Sequence, residues 1–151
     1  MNTLLSSHSI THLVLSLPPV ESRRDSIAEA LAAGLAGGEP SSELSPSPRF
    51  VAILLLDFVI DQVRHVVEGG APRNLALHHA EHRRHDIAGR HYSRFGDALV
   101  PVLRDSLGPT YARETASAWG DAFWALVQRM QQDDEGTDGA AKPSPAAQLV
   151  D

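Results

Sequence analysis

From Phe50 to Val67 the chain reads FVAILLLDFVIDQVRHVV, apolar almost throughout and free of any turn signal. Its β-branched residues would suit a strand locally. A block running from Arg49 to Val67 is nevertheless about three times a strand's usual length. A buried helix is the expected form, and such a helix needs other helices to cover it.

The rest of the chain supplies candidates. Ile27, Leu31 and Leu35 recur at i, i+4, i+8 within Glu21 to Leu35, one face of a helix, and Gly37-Gly38 supplies its stop. Before it, Ile10 to Val20 is apolar at mixed spacing and interrupted by Pro18-Pro19. Pro40 to Pro48 holds three prolines and four serines and cannot be a regular element. Beyond Gly69-Gly70, Pro72 suits the first turn of a helix, and Asn74 to His85 follows without a breaker. Gly89 marks a corner. Tyr92, Phe95, Leu99, Val102 and Leu103 form a further stripe, with a kink expected at Pro101. After Gly108-Pro109, Thr110 is a candidate cap for a long amphipathic helix reaching about Gln132. Its stripe is Tyr111, Ala118, Trp119, Ala122, Phe123, Leu126, Val127 and Met130. Residues 1–135 are expected to form one domain and 136–151, which lack a hydrophobic period, a disordered tail. With no repeat and no hairpin signal, the expectation is an all-α fold of six or seven helices.

Composition narrows the function classes. Thirteen basic against 19 acidic side chains give a net charge of −6, which argues against nucleic acid or an anionic membrane as partner. Cysteine is absent, which removes disulfides, thiolate metal sites and a cysteine nucleophile. No apolar run approaches the roughly 20 residues needed to cross a bilayer. The first residues lack the pattern of a signal peptide, so a cytoplasmic protein is expected. No nucleophile elbow or Gly-rich phosphate loop accompanies the Ser, His and Asp residues. Asp57 and Asp61, at i, i+4, are either paired acids or the solvent edge of the apolar helix. Trp119, Phe123 and Trp124 are expected to pack the core.

The chain's compositional oddity is eight histidines, five of them between His78 and His91. His78, His82 and His85 lie at i, i+4, i+7 and share one helix face. Neutral imidazole is a common metal ligand, and one helix can present two at i, i+4. Three along one helix converge poorly on one ion, so spacing alone leaves a solvated or core-edge role open beside a metal role.

Taken together, several segments resemble bacterial globins of the flavohaemoglobin and single-domain haemoglobin group. The clearest are HYSRFGDALVPVLRDSLG, ending at Gly108, and Ala118-Trp119-Gly120-Asp121-Ala122-Phe123. Weaker matches are Ser9-Ile10, Ser16 and Pro18 in the first helix, and Leu31, Leu35 and Pro40 in the second helix and its corner. The resemblance covers about residues 9 to 135, strongest after His78 and weakest between Pro40 and Phe50. It implies a globin-like fold, shortened between the second helix and the distal helix, that binds haem b.

The resemblance also implies roles. His82 stands ten residues before Tyr92, the place of the family's iron-ligating histidine. His85, in Arg83-Arg84-His85-Asp86, is the rival ligand but requires a gap. Tyr92 and Asp134 occupy the places of a relay that orients the ligand and raises its basicity. Ile87 matches the family's apolar residue after the ligand, and Phe95 joins it in the expected cofactor surroundings. Arg83 and Arg84 are either propionate partners or surface charges. On the distal side Ala32 replaces the family's oxygen-binding tyrosine, and Leu44 or Pro46 stands near the corner phenylalanine. An apolar distal wall of Leu31, Phe50, Leu54 and Phe58 is the expected result. Nitric-oxide dioxygenation is therefore not expected, and neither is an attached reductase domain. Three classes remain open: a haem globin handling O2, NO or peroxide, a haem-dependent oxidoreductase acting on a small organic substrate, and a cofactor-free sensor or interaction domain. A monomer or homodimer is expected.

Overall fold

The apolar block folds as a 22-residue helix, Pro48–Gly69. Ser47 caps it by accepting the Phe50 N–H, and Pro48 fills the first turn, where no N–H is needed. Gly70, at φ 84°, closes it in the left-handed region that favours glycine. A computed structural model of the protein describes residues 5–36, 47–111 and 113–141, with side chains as far as Gln132. Among the described residues there are six helices and no strand: α1 (Ser7–Ser22), α2 (Arg24–Ala36), α3 (Pro48–Gly69), α4 (Leu75–Arg84), α5 (Gly89–Leu107) and α6 (Arg113–Ala141). The fold is all-α. No helix among these residues is long and apolar enough to cross a membrane.

Several boundaries differ from the sequence expectation. α1 runs straight through Pro18 and Pro19 rather than breaking there. The carbonyls that lose donors belong to Val14 and Leu15, whose side chains are exposed, so water can replace the missing bonds. Pro72 stays outside α4, because Asn74 precedes the helix in the left-handed region at φ 59°. Gly89 opens α5 instead of making the corner. The turn lies before it, where Asp86 takes φ 64°. Pro101 sits inside α5 without ending it, and is exposed. α6 starts at Arg113 rather than Thr110, and its helical backbone continues past Gly136 to Ala141. Gly37-Gly38, Leu44, Pro46 and residues 142–151 lie outside the described residues.

The helices pack in two linked sets. α2 lies against α3 and α5, while α6 lies against α5, α1 and α4, and α1 also touches α3. Trp119, Phe95 and Phe123 are fully buried where these sets meet. The Trp119 indole N–H donates to Ser16 Oγ at 2.8 Å, and that hydroxyl donates to the His12 carbonyl at 2.7 Å. A buried indole thus keeps a partner, and α1 is fixed against α6. α5 and α6 cross closely because both have a glycine at the contact. A Cβ on Gly120 would stand 2.6 Å from Val100, and one on Gly96 2.5 Å from the Trp124 ring. Trp124 is accordingly not a core residue: it lies over Gly96 with 37% of its surface exposed.

Candidate functional site

The sequence places His82 in the last turn of α4 and Tyr92 in the first turn of α5, joined by a tight turn. That turn is held by backbone bonds back to His82: the His85 and Ile87 N–H groups both donate to its carbonyl, at 3.1 and 2.9 Å. The His91 imidazole, at the third position of α5, accepts the N–H of the N-cap residue Ala88 at 2.8 Å, the return bond of a capping box, while Ala88 has no side chain to cap with. Folding back in this way brings the two side chains together. His82 Nδ1 lies 2.8 Å from the Tyr92 hydroxyl oxygen, and the two residues are 1% and 2% exposed.

Burial sets the protonation of this pair. Loss of solvation, reinforced by His78 and His79 nearby, pushes the His82 imidazole down to about 4, so it is neutral at pH 7. Burial raises the Tyr92 phenol well above its ordinary value, so it keeps its proton. With the imidazole proton on Nδ1, His82 donates to the phenol oxygen and leaves Nε2 as a bare lone pair. Neutral, oriented and with one nitrogen free, this is the state in which histidine ligates a metal.

A cleft of about 240 Å³ opens beside His82 between α3 and α4, lined by Leu54, Asp57, Phe58, Asp61, His78, Glu81 and His82. Phe58 dominates it. The phenyl ring packs on His82 at 5.0 Å between centroids, interplanar angle 84°, and on His78 at 5.2 Å. His82 Nε2 therefore has the chemistry of a metal donor, and the Phe58 ring packs against the same imidazole. A flat macrocycle needs about 3.5 Å of clearance to the phenyl carbons alone, so it enters only when Phe58 swings aside.

The other expected site residues divide clearly. Leu54 and Phe58 reach the cleft. Leu31 is buried in the core and is not among the cleft's lining residues. Phe50 lies at the exposed start of α3, its ring 4.9 Å from that of His85. His85 itself is half-exposed and engages Glu81 at 3.0 Å. Ile87 is buried beside the turn, and Phe95 packs on Phe123 at 4.8 Å, behind Tyr92. Ala32 is half-buried. Asp134 belongs to the backbone of α6, but its side chain lies outside the described residues.

Asp57 and Asp61 both line the cleft and each is engaged by a cation. Asp57 receives Arg24 Nε and Nη2 at 2.8 and 2.6 Å, tying α2 to α3, and Asp61 sits 3.6 Å from Arg64. Arg84 reaches Glu81 at 2.7 Å, and Arg83 is exposed. Among the described residues no three His, Asp or Glu side chains converge on a metal position. Sequence reasoning did not single out His78 and Glu81 as cleft residues. Their signal was spacing, since His78 lies one turn before His82 and Glu81 directly precedes it. No family model matches the sequence, and no curated protein is a significant match to it.

Proposed function

We propose that the chain is a haem-binding protein of globin-like architecture whose iron is ligated by His82 Nε2. The observation that carries this reading is the buried 2.8 Å contact between His82 Nδ1 and the Tyr92 hydroxyl. It joins the two residues that the globin resemblance assigns to ligand and orienting partner. The packing of α2 on α3 and α5, and of α6 on α1, α4 and α5, also suits a helical sandwich with a pocket between α3 and α4.

In this reading His82 would hold haem b, which when bound would supply redox chemistry toward O2, NO or peroxide. The chain's own residues do the rest. Tyr92 holds the imidazole ring, and the resemblance assigns the relay's carboxylate to Asp134, whose side chain lies outside the described residues. Leu54 and Phe58 give the ligand side an apolar wall. With Ala32 in the place of the family's tyrosine, no phenol from α2 would hydrogen-bond a bound O2, and the polar side chains that line the cleft are Asp57, Asp61, His78 and Glu81 from α3 and α4. With no phenol at position 32 to hold O2, this reading favours peroxide-dependent oxidation of a small organic substrate over oxygen storage. The site of action would be the cytoplasm.

A second reading, a cofactor-free domain of the same architecture, is favoured by one observation: Phe58 packs directly on His82. Haemin titration of the purified protein and of Phe58→Ala separates the two. The haem reading expects binding at one equivalent, tighter in Phe58→Ala because no ring must move. Absence of binding in both proteins would select the cofactor-free domain.

A further inference from the structure

Outside the cleft's lining, the first turns of α1 carry a second histidine pair. His8 and His12 stand at i, i+4, their rings 4.6 Å apart between centroids, and their Nε2 atoms face each other at 3.3 Å. His12 Nδ1 contacts Thr115 Oγ1 at 2.9 Å, and Thr115 is 4% exposed at the start of α6. His8 is exposed and His12 half-buried, so one imidazole is fixed by the fold and the other stands open to solvent.

The geometry points to a two-histidine binding site for a tetrahedral divalent metal ion of the zinc class, formed by Nε2 of His8 and Nε2 of His12. Two nitrogens bound to one tetrahedral ion at about 2.0–2.1 Å are about 3.3–3.4 Å apart. A square-planar ion would draw them to about 2.9 Å at the same bond length. The observed 3.3 Å matches the tetrahedral value without any movement of either ring. In the metal-free protein the same contact is a long hydrogen bond between the rings, which a bound ion would replace.

Thr115 supplies what metal-ligating histidines commonly have, a partner on the far nitrogen. When His12 Nδ1 carries the proton and donates to the Thr115 hydroxyl, Nε2 is left as an acceptor aimed at His8. Thr115 is thus a positioning residue, acting on the metal through His12. Both ligands lie on α1, and the orienting partner lies on α6. Water fills the remaining two coordination positions. With only two protein ligands, affinity falls well short of a closed four-ligand site, in the micromolar to submillimolar range.

Zinc titration of the full chain without haem, followed by competition with a chromophoric chelator, tests the site. His8→Ala is the decisive variant, because the side chain is exposed and its loss leaves the core intact. The expected result is one zinc equivalent in the parent protein that weakens at least tenfold in His8→Ala and in His12→Ala. Thr115→Val should keep the stoichiometry with several-fold weaker binding. A parent affinity and stoichiometry retained in His8→Ala would place any bound zinc elsewhere, in the α4 histidines, and overturn the assignment. So would a parent protein that binds no zinc at submillimolar concentration.

Discussion

Burying a neutral histidine couples the stability of this fold to pH, and His82 sets the size of the effect. Its imidazole titrates at about 4 in the folded protein against 6.5 ordinarily, chiefly because it is stripped of solvent. Above pH 6.5 neither the folded nor the unfolded chain carries this proton. Between 6.5 and about 4 the unfolded chain binds it and the folded chain does not, so stability falls as pH falls. The slope is about 1.4 kcal/mol per pH unit, and the full loss is about 3 kcal/mol by pH 4. At pH 5 the loss is about 2 kcal/mol, or about 4–8 °C in melting temperature for a chain this long. The assay is urea unfolding followed by circular dichroism from pH 7.5 to 4.5, on the haem-free parent and on His82→Gln. Other groups titrate in this range, so the quantity to read is the difference between the two curves. The account requires the parent to lose stability more steeply, by close to one proton. Parallel curves would show that His82 is not held neutral by burial, and the argument for a ligand-ready imidazole would fail.

Further substitutions test other contacts. Tyr92→Phe leaves His82 Nδ1 buried without its 2.8 Å partner; urea unfolding should show a loss of about 1–3 kcal/mol, and an unchanged midpoint would mean the contact contributes nothing. Ser16→Ala strands the Trp119 indole N–H and should cost a similar amount, about 1–3 kcal/mol. Its tryptophan fluorescence should change as well, whereas unaltered emission and stability would deny the bond. Gly120→Ala places a methyl carbon 2.6 Å from Val100; forcing α5 and α6 apart should cost about 1–3 kcal/mol, and a stability gain from the better helix former would refute the close crossing.

What was legible in the sequence was periodicity and short spacing. The apolar run from Phe50 to Val67 announced α3, and ten residues from His82 to Tyr92 span a helix end, a tight turn and the next helix start. Long-range partners carried no such signal. Ser16 and Trp119 are 103 residues apart, and nothing local marks the serine as the indole's acceptor. Gln62 has no local signal that sets it apart within the apolar run. It is fully buried because its amide exchanges two 2.8 Å hydrogen bonds with the Arg73 backbone, fixing the approach to α4. The globin resemblance puts Phe50 in a pocket wall because it sets Phe50 or Arg49 near the place of the family's distal glutamine. Phe50 lies at the exposed end of α3, where helical phase and chain entry decide its direction, and the entry segment before Ser47 is where the family resemblance is weakest. Pro18 and Pro19 were read as an interruption because propensity is local. Packing of Leu13, Leu17 and Val20, all buried, outweighs the two lost hydrogen bonds.

The most direct test of the central proposal is the absorption spectrum of the protein expressed with haem supplied, beside His82→Ala and His85→Ala. The account predicts a Soret band in the parent that is retained in His85→Ala and lost or greatly weakened in His82→Ala. A band equally strong in all three proteins, or lost only in His85→Ala, would contradict ligation by His82. No Soret band in the parent would contradict haem binding altogether.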